Sequence, residues 1–372
     1  MLGIILFIVI FIGFVLLSPK VKICSSFKGF MFAGFAAALS IIAYHAAPMY
    51  DLSRHFEFMQ LIQDSGKSYI ELIQEPVPGY EHNQFYFLFE FFCYIAAKIG
   101  NYHLAPAFMV LTDYLIFGYI TIDWSKSHRV NFNIYFITIL LSSLFMPFLY
   151  AVSGMRNATA GCLAALGIYL YLEKNKAVII FTVLMLAATL IHPVVLMALP
   201  FVILAKRKLT WKMVLLVIVI IANLKNIANL LANSSSSFLR MLGNYYRVYS
   251  SDTQYWGSRR YLYGDLLFVS IFGLLFFIHW RNRTRRQFPL HNFFFLYMIY
   301  VFGNAGNYDL VIRPMYLLAP LAGPLSYCLF EEEWNFTGRQ SGLLKHFLYI
   351  TLSILCLWVT KDHLTIFITE FF

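Results

Sequence analysis

The chain alternates long apolar blocks with short polar segments. Apolar blocks cover residues 1–17, 132–153, 178–191, 214–222 and 343–360, and each carries at most one charged residue. Stretches of about 17 to 25 apolar residues cross a bilayer as helices, because every backbone polar group must find its partner within the segment. The pattern predicts an all-α fold, a polytopic membrane helical bundle with about 11–13 hydrophobic helices, some of them re-entrant or interfacial. Residues 1–372 would form one membrane domain.

Composition argues against a soluble globular protein. Of the 372 residues, 60% are hydrophobic and 12% are charged, whereas about a quarter of the residues in soluble domains are charged. The net charge of +10 does not indicate nucleic-acid binding, because the cations lie in short segments between apolar blocks and form no basic stripe. The five cysteines are scattered without disulfide or metal spacing, so we expect no metal site and no cofactor.

Clusters of lysine and arginine predict which segments face the cytoplasm, because short cytoplasmic loops are enriched in both residues. The clusters lie at residues 20–28, 126–129, 174–176, 206–212 and 281–286. Alternation across the membrane then gives two external loops, 48–83 and 232–262. The block at 85–99 breaks this alternation and carries Glu90. We therefore interpret it as an interfacial or re-entrant helix.

Arginines predominate among the cations predicted to lie outside, and lysines among those inside. Membrane topology requires only positive charge, so the choice of arginine suggests bidentate recognition of phosphate or carboxylate. Contacts of individual arginines with lipid headgroups are the simpler alternative. The outward arginines are Arg54, Arg156, Arg240, Arg247, Arg259, Arg260 and Arg313.

Arg156 and His192 are the outward residues with the most unusual positions. Arg156 lies between two apolar blocks, at a predicted helix start near the membrane surface. A cation there opposes the helix dipole and is costly in hydrocarbon, so a bound anion would remove both penalties; a snorkelling arginine is the alternative. His192, at the tip of a predicted helical hairpin, is a candidate for phosphate binding or acid–base catalysis, although a lone intramembrane histidine also serves in helix packing.

Acidic residues of the first external loop are the other candidates for a general base. Asp51, Arg54 and Glu57 recur every three residues, so they would share one helical face. Asp51 or Glu57 could accept a proton and Arg54 could bind phosphate, although a surface salt-bridge ladder has the same spacing. Glu75 precedes a rigid proline-rich turn that could present its carboxylate to a site.

The second external loop is rich in aromatic and basic residues, which can stack on sugar rings and bind phosphate. Its candidates for substrate binding are Tyr255, Trp256, Arg259 and Arg260. An interfacial aromatic belt is the alternative interpretation. Asp309 and Arg313 belong to a last polar cluster outside. The chain contains no Walker loop, dinucleotide-binding fingerprint, zinc-binding histidine pair or nucleophile elbow, so ATP-driven transport has no support in the sequence.

The order of these features is more specific than any one of them. The relevant positions are Asp51 with Arg54, Glu75 with Pro78-Gly79-Tyr80, Gly154 with Arg156 and Ala160, and Ile191-His192 with Leu199-Pro200. In this order they resemble the EpsG/Wzy-like polysaccharide polymerases of bacterial envelopes. That family has an Asp-rich segment after an early span, a Glu-Pro-Gly-Tyr-like turn, an arginine that opens a mid-chain helix, and a Phe-His-like step before a Pro-ended helix. The resemblance covers residues 44–204.

The resemblance implies a membrane glycosyltransferase that polymerises polyprenyl-diphosphate-linked oligosaccharide repeat units. The product would be a surface polysaccharide (O-antigen, capsule or exopolysaccharide), made on the outer side of the bacterial inner membrane. Such a site needs cations for the diphosphate leaving group and a carboxylate or histidine near the attacking hydroxyl. The expected partners are the lipid-linked glycan, membrane lipids, a flippase and chain-length regulator proteins, and no nucleic acid.

Other functions stay open at this point. Another lipid-linked glycosyltransferase, such as an O-antigen ligase or a GT-C type enzyme, would use a similar site. A flippase for lipid-linked sugars should carry charges through the membrane bundle, whereas the polar residues here cluster on one side. A structural scaffold would not need the concentration of arginines outside.

Overall fold

The computed structural model is all-α over the residues that it describes, which are 25–80, 86–128, 142, 145–251, 273, 289–304 and 308–325. The first eight helices are α1 (Ser25–Tyr44), α2 (Asp51–Ser65), α3 (Tyr69–Gln74), α4 (Phe87–Ile99), α5 (Leu104–His128), α6 (Phe148–Ser153), α7 (Met155–Leu172) and α8 (Val178–Ile191). A 3₁₀ helix at Pro193–Ala198 precedes α9 (Leu199–Ala205), α10 (Trp211–Ala222), α11 (Leu224–Ala232), α12 (Ser237–Ser251), α13 (Pro289–Gly303) and α14 (Tyr308–Leu318).

Among the described helices, α5 is long and apolar enough to cross a membrane. Its 25 residues extend about 38 Å, more than the ~30 Å hydrocarbon core of a bilayer. Together α10 and α11 would make a second span, bent by 57° at their junction. The other apolar helices in the described ranges are shorter, as α8 is with 14 residues. The predicted helical class is confirmed, and the bundle of many spans stays a prediction.

The helix α4 occupies the block that we interpret as interfacial or re-entrant. Its 13 residues reach about 20 Å, which is less than the thickness of the hydrocarbon core. It ends at Gly100, whose φ of 75° is a left-handed conformation that favours glycine. The short length agrees with a helix that does not span the membrane.

The centre of the described structure is α7, which packs against α5, α8, α13 and α14. Small residues allow this packing. A Cβ atom on Gly161 would lie 3.0 Å from the backbone nitrogen of Leu317 and 3.0 Å from the carbonyl carbon of Tyr316. The backbone of α14 therefore lies directly against α7, as is common for small residues in membrane helix interfaces.

Both predicted external loops contain helices. Residues 48–83 include α2 and also α3, which begins with a capping box formed by Ser68 and Glu71. In 232–262 the described part includes α12, which packs against α11. The side of the membrane on which these segments lie stays a prediction.

Candidate anion-binding site

The site begins at the junction of α6 and α7. At Gly154 a Cβ atom would lie 2.9 Å from the carbonyl oxygen of Tyr150. The lack of a side chain at Gly154 therefore makes room for the backbone of the preceding turn. The junction places Arg156 in the first turn of α7, half-buried. Because a helix N-terminus carries partial positive charge, a cation there needs a compensating partner.

Two aromatic rings from the start of α4 face Arg156. Its guanidinium carbon Cζ lies 4.4 Å from the centroid of the Tyr86 ring and 5.5 Å from that of Phe89. Both rings are buried. Aromatic faces attract cations through their quadrupole, more strongly when water is excluded. The two rings therefore orient the guanidinium and offset part of its desolvation.

His192 lies on the same Tyr86 ring. The ring centroids are 5.5 Å apart and the planes are inclined by 17°, so the two side chains stack. The residue ends α8 in an extended conformation and is fully buried, with its Nδ1 accepting a hydrogen bond of 3.2 Å from the Val194 N–H. The structure thus brings together Arg156 and His192, which the sequence predicted separately.

Arg313 reaches this cluster from α14. Its Nη1 donates a hydrogen bond of 3.3 Å to Oδ1 of Asn157, the residue next to Arg156. The charges of Arg156 and Arg313 both act on the His192 imidazole. The close packing at Gly161 explains why Arg313 lies beside Asn157, because it holds α14 against the first turns of α7.

His55 is a site residue that the sequence interpretation missed. It projects from α2, and its ring centroid lies 5.0 Å from that of Phe89. Burial, and then the charges of Arg156 and Arg54, lower the pKa of His55 well below its ordinary value, so the imidazole is neutral at pH 7. The sequence carried a signal for this residue, because Leu52, His55 and Met59 recur at helical spacing. They lie on the buried face of α2.

The predicted carboxylates are engaged elsewhere. Asp51 Oδ1 lies 3.8 Å from Arg54 Nη1 in an exposed ion pair. Glu57 Oε2 accepts a hydrogen bond of 3.1 Å from the Tyr80 hydroxyl. Glu75 is exposed, and its Oε2 lies 3.0 Å from Lys67 Nζ. The shared helical face predicted for Asp51 and Arg54 is present, and it forms the surface ion pair that we weighed as the alternative.

The structure does not describe the side chains of the remaining predicted residues. Tyr255, Trp256, Arg259 and Arg260 lie outside the described residues. Asp309 lies in the first turn of α14, and its side chain is outside the described part as well. Their roles in substrate binding stay predictions.

Glu90 also lies near this cluster. The sequence analysis noted this residue but did not assign it to the site. It is buried in the first turn of α4, next to Phe89, and its Oε2 has no hydrogen-bond partner among the described residues. Burial raises the pKa of Glu90 to about 7. A single carboxylate inside an apolar block was the signal for it.

The arrangement is suited to binding an anion. Two arginines from different helices lie at the first turn of α7, and aromatic rings fix the orientation of one of them. Arginine binds phosphate oxygens bidentately, and such charge-assisted hydrogen bonds gain strength where water is scarce. Within the described ranges, no group of three or more histidine, cysteine or acidic residues could hold a metal ion, and Cys93 and Cys162 are buried free thiols.

Comparison with known protein families gives a match over most of the chain. A family model described as the EpsG family matches residues 63–367, which is most of the chain and includes Tyr86, Arg156, His192 and Arg313. No curated protein and no solved structure matches the chain.

Proposed function

Because the chain belongs to the EpsG family, whose members are membrane proteins of polysaccharide biosynthesis, we propose that it is a glycosyltransferase that polymerises lipid-linked oligosaccharide repeat units. The donor is a polyprenyl-diphosphate-linked oligosaccharide, and the acceptor is a hydroxyl group of a second lipid-linked unit. The reaction takes place on the outer side of the bacterial inner membrane, in a protein that crosses it several times. A flippase supplies the units, and a chain-length regulator limits the product.

The observation that carries this proposal is that Arg156 lies on the Tyr86 ring, which also stacks on His192, while Arg313 is hydrogen-bonded to the neighbouring Asn157. The leaving group of the reaction is a diphosphate, which gains negative charge as its bond to the sugar breaks. Preorganised cations at that position stabilise the transition state more than the bound donor. The half-buried Arg156 in the first turn of α7 keeps part of its side chain accessible to such a ligand.

Deletion of the gene tests this function. Surface glycan from the deletion strain is separated on a gel beside wild type and a strain complemented with the intact gene. We expect the deletion strain to retain a single repeat unit and to lose the ladder, because polymerisation is lost while export continues. Loss of the single unit as well would contradict a polymerase, since a flippase or a ligase is needed to display even one unit.

A reconstituted assay tests the chemistry itself. Purified protein in proteoliposomes receives lipid-linked repeat units extracted from the deletion strain. We expect products longer than one unit and release of polyprenyl diphosphate in equal molar amount to new glycosidic bonds. Failure of active, correctly inserted protein to extend these units would contradict the proposal.

A further inference from the structure

His55 and Arg156 meet at one aromatic ring. The imidazole centroid lies 5.0 Å from the centroid of Phe89, and Arg156 Cζ lies 5.5 Å from the same centroid. Three helices build this arrangement, because His55 comes from α2, Phe89 from α4 and Arg156 from α7. Arg156 and His55 are thus neighbours of one ring, and the charge of Arg156 acts on the imidazole.

The His55 ring differs from that of His192 in its exposure. His192 is fully buried, and its Nδ1 accepts a hydrogen bond from the Val194 N–H. His55 keeps 8% of its surface exposed, so a ligand can reach its imidazole. A neutral imidazole that a ligand can reach, beside a cationic site, can accept a proton from that ligand.

We propose that His55 is the general base that takes the proton of the attacking sugar hydroxyl. The proposal rests on the proposed function and assigns the acceptor side of that same site. His55 replaces Asp51, Glu57 and Glu75 as the base, because those carboxylates are engaged in exposed contacts with Arg54, Tyr80 and Lys67 respectively.

The step balances without any further reactant. The acceptor oxygen forms a bond to the anomeric carbon of the donor, and its proton passes to a ring nitrogen of His55. The bond between the anomeric carbon and the diphosphate oxygen breaks, and the electron pair leaves with the polyprenyl diphosphate. Arg156 stabilises the charge of that leaving group, and the imidazolium later returns its proton to water.

Donor binding strengthens this base. The charges that act on the His55 imidazole are those of Arg156 and Arg54, and both disfavour its protonation. Phe89 is its contact from α4, whose titratable residues are Glu90, Cys93, Tyr94 and Lys98. The helix α6, which also packs on α2, carries Tyr150 as its one titratable residue. A diphosphate bound to Arg156 offsets one of the two positive charges, so His55 accepts a proton more readily when the donor is in place. His55 is therefore a stronger base in the donor-bound protein than in the free protein.

The experiment compares His55→Gln and His55→Asn with wild type in the reconstituted polymerisation assay. Glutamine and asparagine retain a polar side chain of similar size but cannot take up the proton. We expect polymerisation to be at least about 100-fold slower in both variants, the lower range for loss of a general base. Binding of polyprenyl diphosphate alone, measured by retention of the radiolabelled compound, should stay within about twofold of wild type, because Arg156 is intact.

The pH dependence provides a readout that a structural role would not change. At saturating donor, the wild-type rate should fall on the acid side as His55 becomes protonated, and this decline should be absent from the residual activity of His55→Gln. His45→Gln is the matched control, because His45 is exposed just beyond α1 and should leave rate and pH profile unchanged.

Three results would overturn the assignment. They are a wild-type rate in His55→Gln, an unchanged acid limb in that variant, or a wild-type profile without an acid limb. If neither glutamine nor asparagine permits insertion, the acid limb of Glu90→Gln decides: its persistence supports His55, and its loss assigns the limb to Glu90. Failure of the proposed function is distinguishable, because wild-type protein itself would then form no polymer.

Discussion

The guanidinium carbon of Arg156 lies 4.4 Å from the centroid of the Tyr86 ring. This contact joins the first turn of α7 to the residue that precedes α4, two positions far apart in the sequence. The same ring stacks on His192, so Tyr86 contacts both of the residues that the sequence marked as unusual. Position and orientation of the guanidinium depend on this aromatic surface.

Replacement of Arg156 tests its role at the diphosphate. We expect Arg156→Ala to abolish polymer at normal levels of inserted protein. Arg156→Lys should reduce the rate at least about tenfold, equivalent to 1.4 kcal/mol, because lysine keeps the charge but loses the planar bidentate group. Glycan ladders at matched expression measure both effects. Arg207→Lys, at an exposed arginine after α9, is the control and should be silent; a wild-type ladder from Arg156→Lys would indicate a simple headgroup contact.

Replacement of Tyr86 tests the aromatic contribution. Tyr86→Phe keeps the ring and should retain most donor affinity. Tyr86→Leu removes a cation–π contact worth about 0.5–2 kcal/mol, so affinity for polyprenyl diphosphate should fall by about 2- to 30-fold. Phe91→Leu is the matched control, because Phe91 is exposed on the same region of α4 and does not contact Arg156. Equal affinities for Tyr86→Phe and Tyr86→Leu would exclude this contribution.

The sequence predicted the polar outline of the site but not its lining. Arg156, His192 and Arg313 were recognisable because charged or titratable residues are unusual at helix ends between apolar blocks. Tyr86 and Phe89 carried no signal, because 38 phenylalanines and 25 tyrosines make any single aromatic residue unremarkable in this chain. The contacts of the acidic candidates were not predictable, because spacing shows which residues share a helical face but not which residues of other segments they meet. Lys67 contacts Glu75, and the Tyr80 hydroxyl donates to Glu57.

Substitutions at two glycines, one packed and one in open space, should change stability in opposite directions. In Gly161→Ala the new methyl group meets the α14 backbone at 3.0 Å, and we expect a loss of about 1–3 kcal/mol in stability, as in overpacked cores. Arg313 should also shift, so activity falls. Gly34→Ala in α1 meets nothing within 4 Å and should gain about 0.5–1 kcal/mol, because alanine favours the helix.

Thermal unfolding in detergent, followed by the melting temperature, measures both variants. A Gly161→Ala protein with the melting temperature of wild type would show that α14 moves away from α7 without cost. Activity of Gly34→Ala should be unchanged, since the described contacts of Gly34 include none with the site.

Acidification should destabilise the folded protein through His55. Its pKa is lowered in the folded state, so below pH 6.5 the unfolded chain binds a proton that the folded chain does not. Stability then falls as the pH decreases towards the folded pKa, by up to about 1.4 kcal/mol per pH unit for one group. The difference in melting temperature between His55→Gln and wild type should therefore increase in favour of the variant from pH 7 to pH 5. A constant difference would contradict the lowered pKa.

The position of the α11–α12 turn tests the predicted topology. Lys208 belongs to a basic cluster before α10, which predicts a cytoplasmic position, whereas Ser235 lies in the turn after α11. If the bent pair α10 and α11 crosses the membrane, these two residues lie on opposite sides. In a chain without its native cysteines, a membrane-impermeant thiol reagent applied to intact cells should label a cysteine at Ser235 but not one at Lys208. Both positions should react after the membrane is opened, which controls for accessibility. Labelling of both positions in intact cells, or of neither, would show that the helix pair enters and leaves the membrane on one side. Labelling of Lys208 alone would place the second predicted external loop in the cytoplasm.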